Sequence, residues 1–362
     1  MRVLIVHDEP VEGGYGAEAY VRRLADGLRG AGDSVEVMAG ERRHGGAAKV
    51  LDLWDPVARR MVAERAARFR PDVVHHHNVV RELSASVLGA AGGVPEVMTL
   101  HDRRLFGARE HSLASPRRLV EAAGAAAVLR ASRRRLTATI GVSDAVSELA
   151  RAAGFPAVST VPVPAAEPDG VLVPAQQCRD VVVAARLAAD KGLDVVIDAF
   201  TAVVADVGQS RLLIAGDGPQ RQALQRRASP LGTRVSFLGW LDELELSGVL
   251  GRSRLVVVAS VPGRRPEGSS LAAVEAAMHG RAVIGCDDPA VAEVVGALGA
   301  GPLVPAGDAT ALAGELRRLL TDDAAVASYA AAASSGAQRH STAAVVAATQ
   351  AVYDTAVKGR AG

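Results

Sequence analysis

Residues 255–286, LVVVASVPGRRPEGSSLAAVEAAMHGRAVIGC, join two short apolar runs through a loop and an alanine-rich segment. The runs LVVVAS and AVIGC are typical of buried strands, and the segment from Ser270 to Gly280 is typical of a helix that stops at a glycine. A strand, a helix and a second strand in this order predict a parallel βαβ unit. The same stretch places Glu267 in the loop before the helix and Glu275 inside it.

The alternation of apolar runs and amphipathic stretches continues along the whole chain in two series. The first series comprises VLIVH, a helix over residues 17–29, SVEVMA, DVVHHH, EVMTLH and ATIGVS. The second comprises DVVVAA, RLLIAG, RVSFLG, LVVVAS, AVIGC and GPLVP. Continuous apolar runs of this kind indicate strands whose sheet is covered by helices on both faces. We therefore expect an α/β protein with two doubly wound, Rossmann-like domains.

A proline-rich stretch without periodicity, TVPVPAAEPDGVLVPAQQ, separates the two series and is interpreted as a linker. The expected domains are residues 1–165 and residues 177–340. A last helix lies within residues 341–362, and the sequence leaves open whether it crosses back to the N-terminal domain. Ligands of such sheets bind beyond the carboxyl ends of the strands, so two such edges are expected to face a central cleft.

Composition excludes several classes of protein. The chain has 362 residues, 49% hydrophobic residues and a formal net charge of +1, which favours neither disorder nor nucleic-acid binding. Its apolar runs are shorter than the roughly 18 residues of a membrane-spanning helix. The start, MRVLIVHDEP, is interpreted as a first strand rather than a signal peptide. Cys178 and Cys286 match no disulfide or metal-ligand spacing, so a reduced, cytoplasmic setting is expected.

The motif RLAADKG follows the first strand of the second series and carries two cations, Arg186 at the carboxyl edge of that strand and Lys191 at the start of the next helix. Cations beside a helix N-terminus of an α/β sheet suit a diphosphate, because the free N–H groups and the helix dipole add to their charge. Lysine is rare in this chain, because only three of the 41 basic residues are lysine. Its use here therefore indicates that a compact point charge is favoured at this position. The alternative is a solvated helix start with Arg186 pairing a surface acid.

A glycine-rich turn, GGYGAE, follows the first strand of the chain. Backbone amides near Gly14 and Gly16 can approach a phosphate or a sugar closely. The spacing is not G-x-G-x-x-G, which disfavours a nicotinamide-dependent dehydrogenase. A plain tight turn explains the glycines equally well.

Histidines end two strands of the first series. His101, beside Asp102 in TLHDRRLF, is expected at a strand end, where it would donate to a sugar hydroxyl or accept a proton, or else serve structure alone. In HHHNVV, alternation places His75 and His77 on one face and His76 on the other, which disfavours a shared metal ion. We expect no metal site.

A basic helical run covers residues 117–135, RRLVEAAGAAAVLRASRRR. Such a run is compatible with weak peripheral contact with an anionic membrane. A solvated surface helix is the simpler interpretation.

Glu267 and Glu275 flank the sequence GSSL, which offers backbone N–H groups at a helix N-terminus. A nucleotide-sugar fits this arrangement, with its phosphates near the amides of Ser269, Ser270 and Leu271. The two carboxylates would then accept hydrogen bonds from vicinal hydroxyls.

Taken together, these motifs resemble the family 4 glycosyltransferases, which are retaining enzymes with the two-domain GT-B fold. The resemblance covers nearly the whole chain through GGYGAE, TLHD, IGVSDAV, ARLAADKG, LLIAGDGP, VSFLGWL, EGSSLAAVEAAMHGRAVIG and GPLVPAGDATALAGEL, in the family's order. The E-x7-E element is its most specific mark. Three features depart from the family: the glycine loop is shifted, serines replace a phenylalanine-glycine pair after Glu267, and VPVPAAEP replaces the usual hinge motif.

The resemblance implies a role for each motif. Glu267 would touch the donor sugar and Glu275 the ribose hydroxyls. Arg186 and Lys191 would bind the diphosphate. In the first domain, the resemblance implies that Gly16 approaches a phosphate and that His101 lies near the transferred sugar, with Gly14 in the same donor-binding turn.

We therefore expect a cytoplasmic, metal-independent, retaining glycosyltransferase that needs no cofactor beyond a nucleoside-diphosphate sugar. It would move a hexose-type sugar to a hydroxyl acceptor, with the donor mostly on the second domain and the acceptor mostly on the first. The proposed catalytic residues are His101, Glu267, Arg186 and Lys191. The alternatives are a sugar phosphorylase or nucleotide-sugar epimerase on the same fold, or a catalytically silent nucleotide-sugar-binding homologue.

Overall fold

The computed structural model describes residues 1–8, 16–40, 54–77, 79, 83–103, 105–106, 116–261 and 268–359, with backbone only for 116–122. The chain divides into two compact units, one formed by Met1–Pro164 with Thr342–Gly362 and one formed by Ala165–Ser341. Among the described residues, no helix combines the length and the apolar character needed to cross a bilayer.

A parallel six-stranded sheet forms the centre of the first unit, in the order β2-β1-β3-β4-β5-β6. Its strands are β1 (Arg2–His7), β2 (Ser34–Ala39), β3 (Val73–His77), β4 (Glu96–Leu100), β5 (Ala138–Gly141) and β6 (Val158–Thr160). Every residue of β3 and β4 is buried, as expected for a sheet with helices on both faces.

Five helices of the described chain belong to this unit: α1 (Ala17–Gly30), α2 (Pro56–Phe69), α3 (Pro116–Arg135), α4 (Asp144–Ala152) and the last helix, α12 (Thr342–Lys358). Helix α12 packs tightly on α1 because Gly27 has no side chain. A Cβ atom there would lie 2.6 Å from Cγ2 of Thr342. Gln350 on α12 also donates to Asp33 at 2.8 Å. The last helix therefore lies in the first unit.

The second unit has its own parallel six-stranded sheet, in the order β12-β11-β10-β7-β8-β9. Its strands are β7 (Val181–Ala184), β8 (Leu212–Ala215), β9 (Val235–Gly239), β10 (Leu255–Val258), β11 (Ala282–Cys286) and β12 (Leu303–Val304). The strand order reverses between β7 and β10, as in a doubly wound fold. The predicted fold class is confirmed in both units.

The helices of the second unit are α5 (Leu193–Val203), α6 (Arg221–Ala228), α7 (Glu243–Leu250), α8 (Leu271–Met278), α9 (Pro289–Leu298), α10 (Ala309–Thr321) and α11 (Asp323–Ala337). Several begin at an aspartate whose carboxylate accepts backbone N–H groups of the first turn, which satisfies donors that the helix itself leaves open. Asp242, Asp288 and Asp308 cap α7, α9 and α10 in this way. Phe200 on α5 and Leu316 on α10 are fully buried in the core beside the sheet.

Three details differ from the sequence analysis. Strand β6 was not expected, because its last residue is the first of the proline-rich linker and its three residues show no alternation. The run GPLVP forms only the two-residue strand β12. Lys191 ends a short 3₁₀ turn, Ala189–Lys191, and α5 begins after Gly192, so the expectation that Lys191 opens the helix was wrong. Gly192 has a left-handed backbone conformation, with φ +61, and this changes the direction of the chain between the 3₁₀ turn and α5.

Candidate functional site

The carboxyl ends of β7 and β10 form the switch point of the second sheet. The two strands pair in parallel, with Leu255 opposite Val181 and Val256 opposite Val182. The segment that follows β7 carries the RLAADKG motif, and the segment that follows β10 leads into α8. Both motifs therefore leave the sheet side by side, at the edge where doubly wound folds bind their ligands.

An ion pair joins Arg186 to Asp190 within the RLAADKG motif. Nη2 of Arg186 lies 3.1 Å from Oδ1 and 3.3 Å from Oδ2 of Asp190. The side chain of Arg186 is 44% exposed and that of Asp190 is 12% exposed, so the pair is partly solvated and contributes about 1 kcal/mol. The alternative that Arg186 pairs with a surface acid is thus realised, although an anionic ligand with two or more acceptors would compete well for the guanidinium.

The two segments touch each other directly beyond the strand ends. The amide of Val261 donates to the carbonyl of Asp190 at 2.9 Å. A Cβ atom on Gly192 would lie 2.1 Å from the carbonyl oxygen of Ala259, so glycine is required for this approach. These contacts hold the segment from Arg186 to Lys191, the cationic turn, against the segment that leads to α8.

Ser270 is buried and caps helix α8, because its hydroxyl accepts a hydrogen bond from the amide of Ala273 at 3.4 Å. Glu275 lies one turn further along the helix and is 7% exposed. A carboxylate this deeply buried needs polar partners to keep its charge, and Glu275 has such an interaction, so it is not part of a solvated helix face. Ser269 precedes the cap in the same described segment, whereas Glu267 lies outside the described residues.

A hydrogen-bond chain that sequence analysis missed supports the far end of α8. Nδ1 of His279 lies 2.7 Å from the carbonyl of Glu275, and its Nε2 lies 2.8 Å from Oγ of Ser247. The same hydroxyl accepts the amide of Asp169 at 3.0 Å. A carbonyl only accepts, so Nδ1 of His279 donates and its Nε2 accepts from Ser247. The chain ties α8 to the segment before β7, and no local pattern in the sequence signals it.

Two glycines packed against the start of the cationic turn are a second feature that sequence analysis missed. Gly216 and Gly218, in the motif LLIAGDGP, both have positive φ angles. A Cβ on Gly216 would lie 2.0 Å from the carbonyl oxygen of Ala185, and one on Gly218 would lie 2.5 Å from that of Leu187. The spacing G-x-G directly after a strand is the signal that could have found this contact.

In the first unit, Gly16 precedes α1 with φ +73, a conformation that favours glycine. No atom of the described chain lies within 4 Å of the position of an added Cβ, so a ligand could approach this backbone closely. Gly14 lies outside the described residues.

His101 directly follows β4 and is partly exposed, and it bonds to a buried neighbour. Its Nε2 lies 2.8 Å from Nδ1 of His77, the last residue of β3. His75 lies two residues earlier on β3. Its Nε2 is 2.7 Å from Oγ1 of Thr99, and its Nδ1 is 2.6 Å from the hydroxyl oxygen of Tyr353. The rings of His75 and His77 are 4.1 Å apart, which confirms that the two lie on one face of the strand.

These histidines are held neutral. Burial, with a smaller effect of His76, lowers the pKa of His75 to about 3. Burial lowers the pKa of His77 well below the usual value of histidine, and neighbouring histidines lower it further. The pKa of His101 is also well below that value, first through burial and then through His7 and His75.

His76 points to the other face of β3, where its Nε2 lies 3.2 Å from Oε2 of Glu96. Glu96 also accepts the amide of Gly89 at 2.9 and 2.8 Å. Its contacts are those of a structural carboxylate. Within the described ranges, no group of three or more histidine, cysteine or acidic side chains is arranged to hold a metal ion.

The basic run of the sequence forms α3. Its last turns line an open surface depression of about 620 Å³ with Arg130, Arg133 and Arg134. Arg133 donates to the carbonyl of Ala153 at 2.6 Å, so part of this charge serves packing within the unit. Contact of α3 with a membrane stays a prediction.

Comparison with known proteins gives matches over both units. A model described as Glycosyltransferase Family 4 matches residues 14–164, and one described as Glycosyl transferases group 1 matches residues 178–322. The phosphatidyl-myo-inositol mannosyltransferase of Mycolicibacterium smegmatis is 29% identical over 85% of this chain and 82% of its own. That of Mycobacterium leprae is 35% identical over 37% of this chain and only 34% of its own length.

Solved structures share the fold over nearly the whole chain. Sucrose-phosphate synthase of Thermosynechococcus elongatus matches with a TM-score of 0.74 at 17% identity, over 99% of this chain and 100% of its own. Anabaena HepE, solved with UDP and glucose, matches with a TM-score of 0.72 at 19% identity, over 98% of this chain and 100% of its own.

The two doubly wound sheets have the GT-B fold of these solved structures, and both matching family models are models of glycosyltransferases. One family model matches within each of the two units. The chain belongs to the family 4 glycosyltransferases.

Proposed function

We propose that this glycosyltransferase moves a hexose from a nucleoside-diphosphate sugar to a hydroxyl acceptor with retention of the anomeric configuration. The observation that carries the proposal is the switch point of the second sheet, where the Arg186–Lys191 turn is bonded to the segment leading into α8. The names of relatives support it: HepE was solved with UDP and glucose, and the mycobacterial relatives are mannosyltransferases.

The diphosphate would lie between the cationic turn and the start of α8. Arg186 would exchange its surface pair with Asp190 for phosphate oxygens, because a bidentate contact with a dianion is stronger than an exposed ion pair. The first amides of α8, near Ser270 and Leu271, would add hydrogen bonds and the positive end of the helix dipole. Together with Lys191 these groups would stabilise the charge that develops on the leaving diphosphate.

Glu275 would accept hydrogen bonds from the ribose hydroxyls, and Glu267 from the donor sugar. The position of Glu275 on α8, just past the helix start, supports its part, because hydroxyl groups that donate to a carboxylate form charge-assisted hydrogen bonds. His101 would contact the transferred sugar, as the resemblance implies. The leaving phosphate would help to deprotonate the acceptor in a front-face attack, without metal or further cofactor.

The first experiment is a thermal-shift screen of the protein with UDP-, GDP-, ADP- and dTDP-sugars, followed by product analysis with the donor that stabilises it. The anomeric proton of the product, read by NMR, gives the stereochemistry. An inverted product contradicts the proposed retaining mechanism. Free sugar phosphate or an epimerised donor as the product would instead support the phosphorylase or the epimerase.

A matched set of variants tests the diphosphate site. Losing one charge-assisted hydrogen bond costs roughly 1.5–3 kcal/mol, so Arg186→Gln and Lys191→Gln should each weaken nucleoside diphosphate binding about tenfold or more. Arg211→Gln is the control, because it removes the same charge from a surface pair with Asp180, 2.6 Å long, just before β8. Normal affinity in both test variants would place the diphosphate elsewhere.

A further inference from the structure

His77 is completely buried, and its ring contacts His101, the histidine proposed to face the sugar. Its Nδ1 lies 2.8 Å from Nε2 of His101, and the two ring centres are 5.1 Å apart. The remaining nitrogen, Nε2 of His77, has no hydrogen-bond partner within the described chain. The ring centres of His75, Tyr20 and His7 lie 4.1, 5.5 and 6.3 Å from the ring centre of His77.

Only one proton lies between the two bonded nitrogens, so the pair has two possible states. In the first, Nδ1–H of His77 donates to Nε2 of His101. In the second, Nε2–H of His101 donates to Nδ1 of His77. A charged imidazolium in either ring is disfavoured, because burial keeps the pKa of both histidines well below the usual value.

The unpartnered nitrogen of His77 distinguishes the two states. In the second state His77 must carry its proton on Nε2, which leaves a buried N–H with no acceptor. In the first state Nε2 carries only a lone pair, and an unused buried acceptor is less costly than an unused buried donor. The first state is therefore the more stable one.

We propose that His77 is a positioning residue that fixes the tautomer of His101. With Nε2 of His101 accepting from His77, the neutral ring of His101 carries its proton on Nδ1. His101 then presents an N–H donor to its ligand and has no free basic nitrogen. It would bind an oxygen of the ligand, such as a sugar hydroxyl or ring oxygen, and would not act as the base that deprotonates the acceptor.

The location of His77 suits this role. It ends β3 between β1 and β4, where its register partners are His7 and Thr99. Nδ1 of His7 lies 3.2 Å from the carbonyl of His77, which can only accept, so His7 anchors the backbone of His77. Strand ends on a rigid sheet hold a ring in place better than a loop does.

The tautomer can be measured in the full chain without any substrate. In a protein labelled with ¹⁵N-histidine, long-range proton–nitrogen spectra distinguish a protonated ring nitrogen from an unprotonated one. The signals of the two residues are assigned from the spectra of His101→Gln and His77→Asn. We expect the proton on Nδ1 in both rings. A proton on Nε2 of His101 overturns the proposal.

A second measurement tests the positioning role, which rests on the proposed function. His77→Leu removes the donor, whereas His77→Asn keeps an N–H group near the place of Nδ1. Turnover of the donor sugar should fall about tenfold in the leucine variant, with unchanged affinity for the nucleoside diphosphate, and should largely recover in the asparagine variant. Wild-type turnover in the leucine variant overturns the role.

The spectrum and the turnover measurement distinguish a failure of this inference from a failure of the proposed function. If the wild-type protein transfers no sugar, the proposed function fails, but the tautomer of His101 is still read from the spectrum. If the leucine variant does not fold, as its melting curve would show, the spectrum of the wild-type protein decides alone.

Discussion

Replacing Gly192 with alanine tests the contact between the segments that follow β7 and β10. Gly192 has φ +61, and an added Cβ would lie 2.1 Å from the carbonyl oxygen of Ala259. A left-handed backbone costs an alanine about 1–2 kcal/mol. Moving the neighbouring backbone away adds an overpacking cost of about 1–3 kcal/mol. We therefore expect Gly192→Ala to lower the free energy of unfolding of the second unit by about 2–5 kcal/mol.

Gly208 provides a matched control in the same unit. Its φ is +56, close to that of Gly192, but no described atom lies within 4 Å of an added Cβ. Gly208→Ala should therefore cost only the backbone part, about 1–2 kcal/mol. The chain has two tryptophans, Trp54 in the first unit and Trp240 in the second, so urea unfolding in a Trp54→Phe background reports on the second unit.

The same variant should also weaken the proposed donor site. Moving Ala259 disturbs the 2.9 Å bond from Val261 to Asp190, which holds the cationic turn in place. Nucleoside diphosphate affinity should fall in Gly192→Ala and stay normal in Gly208→Ala. Equal losses of stability in the two variants would refute the close approach, and loss of stability without loss of affinity would refute its link to the donor site.

Three further predictions concern the site and the histidines. Glu275→Gln should weaken the bare nucleoside diphosphate and the nucleotide-sugar by a similar factor, about tenfold, because the ribose is common to both; calorimetry that shows a loss for the sugar nucleotide alone would contradict the assignment. Folding lowers the pKa of His75 to about 3, so as the pH falls the unfolded chain binds a proton before the folded one does. Through this residue, the free energy of unfolding of the first unit should therefore decrease by about 2 kcal/mol from pH 7 to pH 5. Denaturation curves that coincide at the two pH values would disprove this. Turnover should survive EDTA, since Arg186 and Lys191 supply the positive charge; loss that magnesium or manganese restores would show a metal requirement.

The sequence by itself determined the fold class and most of its elements. Continuous apolar runs alternating with amphipathic stretches are a local signal of covered parallel strands, and the runs SVEVMA and AVIGC match β2 and β11 residue for residue. The cationic turn and the start of α8 were also visible, because each is a short motif at fixed spacing after a strand. Strand β6 was missed, since three residues beside a proline-rich segment carry no period.

Only the tertiary structure decided which distant residues meet. The strand order places β10 beside β7, and that pairing brings together two motifs that the elements from α5 to β10 separate along the chain. The partners of His101 and Glu275 follow from packing across strands and helices: His77 lies 24 residues away from His101, and the chain from Asp169 through Ser247 to His279 spans more than a hundred. Local sequence patterns record how one segment buries its own apolar face. Contacts between segments depend on the order and register of the strands, which hydrophobic periodicity alone does not specify.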